Sequence, residues 1–193
     1  MMRWFQLPAL ALVVSTGTVP AGAWAQVSVS VFYKVIVPAG DFGSTSFTRS
    51  LVSSLTSVKA FCGGLDKAAY RVDCLAERLQ VVSDGIPQDS DYDEVRQLLS
   101  TASADIAQLA HDNRDRNLPK APASRRGDST DRTTRPLTPI SNAAQAEVGQ
   151  RAIAILEQAQ TQLLRSSTGS KSRSIQYAQI AQAIDSTKVL LRS

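Results

Sequence analysis

The spacing of the apolar residues is the feature that most constrains how this chain can fold. Between residues 90 and 112 these residues recur in steps of four and three, which lines one face of an α-helix. The residues on that face are Val95, Leu99, Ala102, Ile106 and Leu109. The helix that carries this stripe should start near Ser90. Similar stripes predict a short helix over about 46–61 and three further long helices: one that begins at Asp66, one that begins after Ser141 and one that spans 175–191.

The lengths of the connections predict how these helices pair. Only residues 86–89 separate the first two long helices, so we expect an antiparallel hairpin, and a second hairpin follows after residue 141. The fold class is therefore all-α: a helical bundle of two α-hairpins joined by a long basic linker, with a short N-terminal β-strand and a short preceding helix. The expected divisions are 1–25, 26–113, 114–140 and 141–193.

Residues 1–25 have the pattern of a secretory signal peptide. Arg3 supplies the positive charge, an apolar run follows, and Ala23 and Ala25 satisfy the A-x-A rule for cleavage before Gln26. The alternative, an uncleaved anchor, is disfavoured because the apolar run is too short to span a membrane comfortably. We therefore expect a periplasmic or secreted protein. Its mature chain would contain neither Trp nor Met, since all four of these residues lie in 1–25.

Residues 27–37 predict a β-strand. Valine recurs there at every second position except 33, which is Tyr, and β-branched and aromatic residues at period two are typical of strands. A lone strand leaves its backbone groups unpaired, so it needs a partner. The sequence leaves open whether that partner lies within the chain or in another molecule.

Residues 114–140 interrupt the helical pattern. The segment contains four prolines, much Ser and Thr and few apolar residues, which predicts a disordered linker. It also carries seven basic residues against three acidic ones, whereas residues 26–113 carry seven against eleven. The basic residues are candidates for binding an anionic polymer, lipid headgroups or an acidic protein face: Arg114, Arg116, Lys120, Arg125, Arg126, Arg132 and Arg135.

Two readings of this basic segment stay open. In one it binds anionic components of the cell envelope; in the other it is a solubilising tether that reaches the acidic front half of its own chain. Nucleic acid is not an expected partner, because the segment lacks aromatic residues for base stacking.

The sequence contains no recognised catalytic or metal-binding motif. A lone His111 near a helix C-terminus has no identifiable partner for general-base chemistry, and one His with two Cys cannot supply most metal sites. Residues 89–94 begin like a calcium loop, but Glu94 stands where glycine is needed and Ser100 where glutamate is needed. We therefore expect no enzyme activity, no metal and no cofactor.

The tripeptide Arg126-Gly127-Asp128 occurs in cell-adhesion ligands. Three common residues in a flexible segment occur together by chance often enough that the motif alone carries no function. We interpret it as a coincidence of sequence.

The two cysteines predict a structural disulfide. An exported chain with two cysteines has only one pairing available, here Cys62 with Cys74. If Gly63 and Gly64 allow the chain to turn back along the following helix, the two sulfur atoms come level. The spacing is far from C-x-x-C, so a redox-active role is disfavoured.

Together these features favour an exported, non-enzymatic helical interaction or scaffold protein of the bacterial cell envelope. Its expected partners are proteins of unknown identity, and self-association fits the same surfaces. The alternative function is a binding module for anionic envelope components, acting through the basic segment.

Overall fold

The computed structural model describes residues 43–192, and this part of the chain is mostly helical. Its α-helices are α1 (Thr45–Gly63), α2 (Arg71–Asp84), α3 (Asp93–Asp112), α4 (Gln145–Ser166) and α5 (Lys171–Thr187). Two short antiparallel strands, β1 (Ser124–Arg125) and β2 (Asp128–Arg132), lie between α3 and α4. The prediction of a mostly helical protein is confirmed, whereas the predicted signal peptide 1–25 and strand 27–37 lie outside the described residues.

The apolar faces of the five helices meet in a hydrophobic core. All five apolar residues predicted for α3 are buried in it. In α4 the predicted Ile155 is half-buried, and the adjacent Leu156 is fully buried instead. Both positions fit a 3.6-residue period, so the sequence pattern alone does not separate them.

Four of the predicted helix starts differ from the structure. The helix expected from near Ser90 begins at Asp93, and the helix expected from residue 175 begins at Lys171. The helix expected from Asp66 begins at Arg71, after a 3-10 turn over Ala68–Tyr70. The Asp66 side chain caps no helix and pairs with Arg126 instead. Ser141 likewise caps no helix with its side chain; a 3-10 turn over Asn142–Ala144 separates it from α4. By contrast, α1 begins where Ser44 accepts the N–H of Phe47 at 3.1 Å.

The predicted disulfide is present. Cys62 near the end of α1 is bonded to Cys74 in α2, with the two Cα atoms 5.7 Å apart and both residues fully buried. The turn between the helices does not use the left-handed freedom of glycine, since Gly64 has an ordinary φ of −78°. At Gly63 the packing is close: a Cβ there would lie 3.1 Å from the end of the Leu190 side chain.

Residues 114–140 are not a disordered linker, and that prediction is corrected here. They form a two-stranded arm, which we call the basic ribbon, closed by β-bridges between Arg114 and Ile140 and between Ala121 and Leu137 and by the β1–β2 hairpin. Leu137 and Ile140 are buried in the core. These two residues, together with the ion pairs described below, provide the stabilisation that the composition of the segment does not suggest.

Candidate functional site

All seven predicted anion-binding residues lie on the basic ribbon, and the structure divides them into two groups. Three form ion pairs within the chain: Arg125, Arg126 and Arg135. The other four are exposed and form no ion pair with any residue between 43 and 192: Arg114, Arg116, Lys120 and Arg132. The sequence does not distinguish these seven residues, whereas the structure shows that they differ in their ion pairs.

Asp73 of α2 anchors one end of the ribbon. Its carboxylate is only 1% exposed and accepts two hydrogen bonds from the Arg135 guanidinium, at 2.6 and 2.7 Å. It also accepts the backbone N–H of Thr138 at 2.6 Å. The bonds to Asp73 raise the pKa of Arg135, so the guanidinium remains charged throughout the physiological range.

Glu77, one helical turn further along α2, forms the second anchor. Its side chain accepts the backbone N–H and the hydroxyl of Thr134, at 2.7 and 2.8 Å, and is bonded by the Arg78 guanidinium. Burial alone would raise the pKa of Glu77, but the hydrogen bonds from Arg78 and Thr134 outweigh it, so the pKa is lower than usual. Glu77 is therefore ionised and fully bonded at neutral pH.

Arg78 links α2 to the hairpin. Besides Glu77 it bonds the carbonyl of Arg132 at 2.9 Å and lies near the carboxylate of Asp131, at 3.5 Å. Its guanidinium also stacks over the Phe61 ring, 4.7 Å from the ring centroid. One side chain thus holds α1, α2 and β2 together.

A second buried polar cluster lies where the described chain begins. The hydroxyls of Thr48 and Tyr92 are 2.8 Å apart, and both bond the Gln176 side chain. The Gln176 amide donates to the carbonyl of Gly43 at 2.9 Å, while the Gly43 N–H donates to Asp91 at 2.9 Å. Because the cluster joins α1, α3 and α5 and is buried, we interpret it as structural.

The turn between β1 and β2 is the most exposed part of the ribbon. We call residues 125–129 the hairpin tip. The Arg126 side chain is 82% exposed and pairs with the equally exposed Asp66, a kind of contact that contributes little to stability. The basic ribbon therefore combines an anchored base with an accessible tip.

The remaining sequence candidates show no site chemistry. His111 is exposed in the last turn of α3 beside Asp112. Asp93 and Glu94 occupy the first turn of α3, where negative charge is favourable. Residues 43–192 contain no cluster of three side chains suited to a metal ion, and none of their helices is both long and apolar enough to cross a membrane.

Comparison with known proteins finds no counterpart. No family model, no curated protein and no solved structure matches this chain. The functional argument therefore rests on the chain's own residues.

Sequence reasoning missed Asp73 and Glu77. Both are acidic residues in a helix whose residues 72–77 are all buried, because helices pack on one side of α2 and the ribbon covers the other. A signal was present, since two carboxylates four residues apart on one helix face require positive partners if that face is covered. Arg135 of the basic segment meets that requirement at Asp73, and Arg78 of α2 itself meets it at Glu77.

We expect limited trypsin treatment of the folded protein to cut first after Arg125 or Arg126. Exposed turns are the preferred sites of nicking, and the other elements are held by buried contacts. Intact-mass measurement over time would identify the first pair of fragments. Early cuts within 66–113 would contradict the expected order.

Proposed function

We propose that this chain is an exported, non-enzymatic interaction protein of the cell envelope, in which a helical body displays the hairpin tip to a partner protein. The observation that carries the proposal is the contrast within the basic ribbon. Its base is fixed to α2 by the ion pair between Arg135 and Asp73 and by hydrogen bonds from Thr134 to Glu77, whereas its tip is exposed. A rigid base with an accessible end suits presentation, because little flexibility is lost on binding.

The helical body would consist of the two helical hairpins expected from the sequence. Hydrogen bonds from Ser103 to the carbonyl of Ala76 and from Ser83 to the carbonyl of Arg96 support the pairing of α2 with α3. A bond from Gln160 to the carbonyl of Ala181 supports the pairing of α4 with α5. Such a body positions the ribbon without requiring a cofactor.

Export is part of the proposal. It rests on the signal pattern of residues 1–25 and is consistent with the Cys62–Cys74 disulfide, since disulfides persist in oxidising compartments. The exported protein should have an intact mass that begins at Gln26, and its fluorescence should be that of tyrosine. Tryptophan emission would show that residues 1–25 are retained.

Site-specific photocrosslinking tests the presentation of the tip. A photoreactive amino acid replaces Ser129 at the tip or, as a matched control, the exposed Gln158 of α4. In intact cells the Ser129 position should give a discrete protein adduct that the Gln158 position does not. Identical adduct patterns at the two positions, or none at Ser129, would overturn the proposal.

A second candidate function, binding of anionic envelope components, is favoured by the four exposed cations that form no ion pair among residues 43–192. Replacing Arg114, Arg116, Lys120 and Arg132 together by Gln should abolish binding to vesicles of anionic phospholipid, and wild-type binding should fall steeply as salt rises. Binding that is unchanged in high salt would rule this function out.

A further inference from the structure

The hairpin tip contains Arg126, Gly127 and Asp128, the tripeptide that the sequence alone leaves as a coincidence. In the structure these residues form the connection between β1 and β2 and the first position of β2. All three are exposed. A partner can recognise so short a motif when it lies in an exposed turn of an anchored hairpin. The prediction of a disordered linker gave the tripeptide no such fixed turn.

Glycine is needed at the centre of this turn. Gly127 has a φ of +82°, a conformation that other residues adopt only with strain. Apart from Gly127 and its two chain neighbours, no residue in the described part of the chain has an atom within 4 Å of the position that a Cβ would occupy there. A partner surface can therefore approach the backbone between the two charged side chains.

Asp128 has the properties of an available metal ligand. Its Oδ1 atom accepts the N–H and the hydroxyl of Thr130, at 2.9 and 2.6 Å, whereas its Oδ2 atom accepts no hydrogen bond from the residues that the structure describes. The hydrogen bonds from Thr130 lower the pKa of Asp128, so the carboxylate is ionised at physiological pH, as a ligand must be. Thr130 thus fixes the orientation of Oδ1, and Oδ2 is available to coordinate a cation held by a partner.

We propose that the hairpin tip binds an adhesion receptor that offers a divalent cation to the Asp128 carboxylate and an acidic pocket to the Arg126 guanidinium. Carboxylate oxygen is the ligand type that Mg²⁺ and Mn²⁺ prefer, and a guanidinium pairs with a carboxylate through two parallel bonds. Arg126 reaches the pocket by leaving Asp66, an exposed partner that is easily exchanged. This inference rests on the proposed function and names the kind of partner that the tip would serve.

The test uses the mature protein, immobilised, and the purified ectodomain of an adhesion receptor that binds linear Arg-Gly-Asp peptides. In Mn²⁺ we expect saturable binding that is lost in EDTA and is competed by a soluble peptide with the same tripeptide. Asp128→Glu should weaken binding by at least about 30-fold, the loss typical of a central contact, because the longer side chain displaces the carboxylate.

Asp115→Glu is the matched control. Asp115 lies on the same ribbon and its Oδ1 accepts the N–H of Asn117, as Asp128 does with Thr130, but it lies outside the tip. The Asp115→Glu variant should bind the receptor ectodomain as tightly as the wild type does. Absence of wild-type binding, or equal binding by Asp128→Glu, would overturn this inference. If this inference fails the test but the Ser129 photocrosslink is still observed, the proposed function stands. If the Ser129 photocrosslink is absent as well, both the inference and the proposed function are overturned.

Discussion

Replacing Arg78 with alanine should destabilise the protein by about 3–5 kcal/mol, the range for removing one partner of a buried ion pair. Glu77 is 2% exposed and the Arg78 side chain 12%, so water cannot readily replace the lost guanidinium. The substitution also removes the bond to the Arg132 carbonyl and the stacking on Phe61. The free energy of unfolding from urea titration monitored by circular dichroism would give the value.

Arg96→Ala is the matched control. Arg96 also forms an ion pair with a near neighbour in sequence, Asp93, but that pair is partly exposed at the start of α3. Such pairs contribute about 0–1 kcal/mol. If Arg78→Ala and Arg96→Ala have equal effects, the ribbon is not held by the Glu77 anchor.

The effect of Arg78→Ala should also depend on pH in a defined direction. In the folded wild type the pKa of Glu77 lies below its ordinary value of 4.5, so its contribution to stability is present above that value and is lost as the pH falls through the folded pKa. In Arg78→Ala the uncompensated carboxylate can be neutralised by protonation. The difference in unfolding free energy should therefore be largest near pH 7 and shrink below pH 4.5. A difference that grows on acidification would contradict the assignment.

The helices could be predicted from the sequence because their signal is local. In α3 the stripe of apolar residues determines both the helix and its buried face, and all of the predicted core positions are buried. The helix boundaries were less accurate, because 3-10 turns precede α2 and α4 and a capping residue does not distinguish such a turn from the first turn of an α-helix.

The basic ribbon could not be predicted because its order depends on another part of the chain. Its apolar anchors are few, chiefly Leu137 and Ile140, and composition alone is typical of disorder. What orders it is the row of carboxylates on α2, to which Arg135 and Thr134 bind. The alternative in which the segment reaches the acidic front half of its own chain thus has direct support from these contacts.

The geometry of the hairpin tip likewise depends on the contacts between the basic ribbon and α2. Arg126-Gly127-Asp128 acquires a defined geometry because the ribbon that follows it is fixed to α2 and β1, which precedes it, pairs with β2. In a disordered linker the tripeptide would sample many conformations, and binding would cost the entropy of ordering it. A contact between Arg135 and Asp73, more than 60 residues apart in sequence, therefore bears on whether a motif at residues 126–128 can function.

Removal of the Cys62–Cys74 disulfide by the double substitution Cys62→Ala, Cys74→Ala should cost at least about 3 kcal/mol. The bond joins residues 12 apart in sequence, and closing a loop of that length lowers the entropy of the unfolded chain by about this amount at room temperature. Both sulfur atoms are fully buried, so the lost packing adds to the cost. The measurement is the shift in the urea midpoint relative to the oxidised wild type.

Wild-type protein unfolded in the presence of a reductant separates the two contributions, because it keeps both sulfur atoms and loses only the cross-link. It should lose about 3 kcal/mol, somewhat less than the double variant. The oxidised protein should also have a mass two hydrogen atoms below the reduced form and should resist alkylation until it is reduced, since a disulfide carries no thiol. Thiols that alkylate readily in protein recovered from the periplasm would contradict the disulfide and weaken the case for export, because an oxidising compartment would have closed a pair held at this distance.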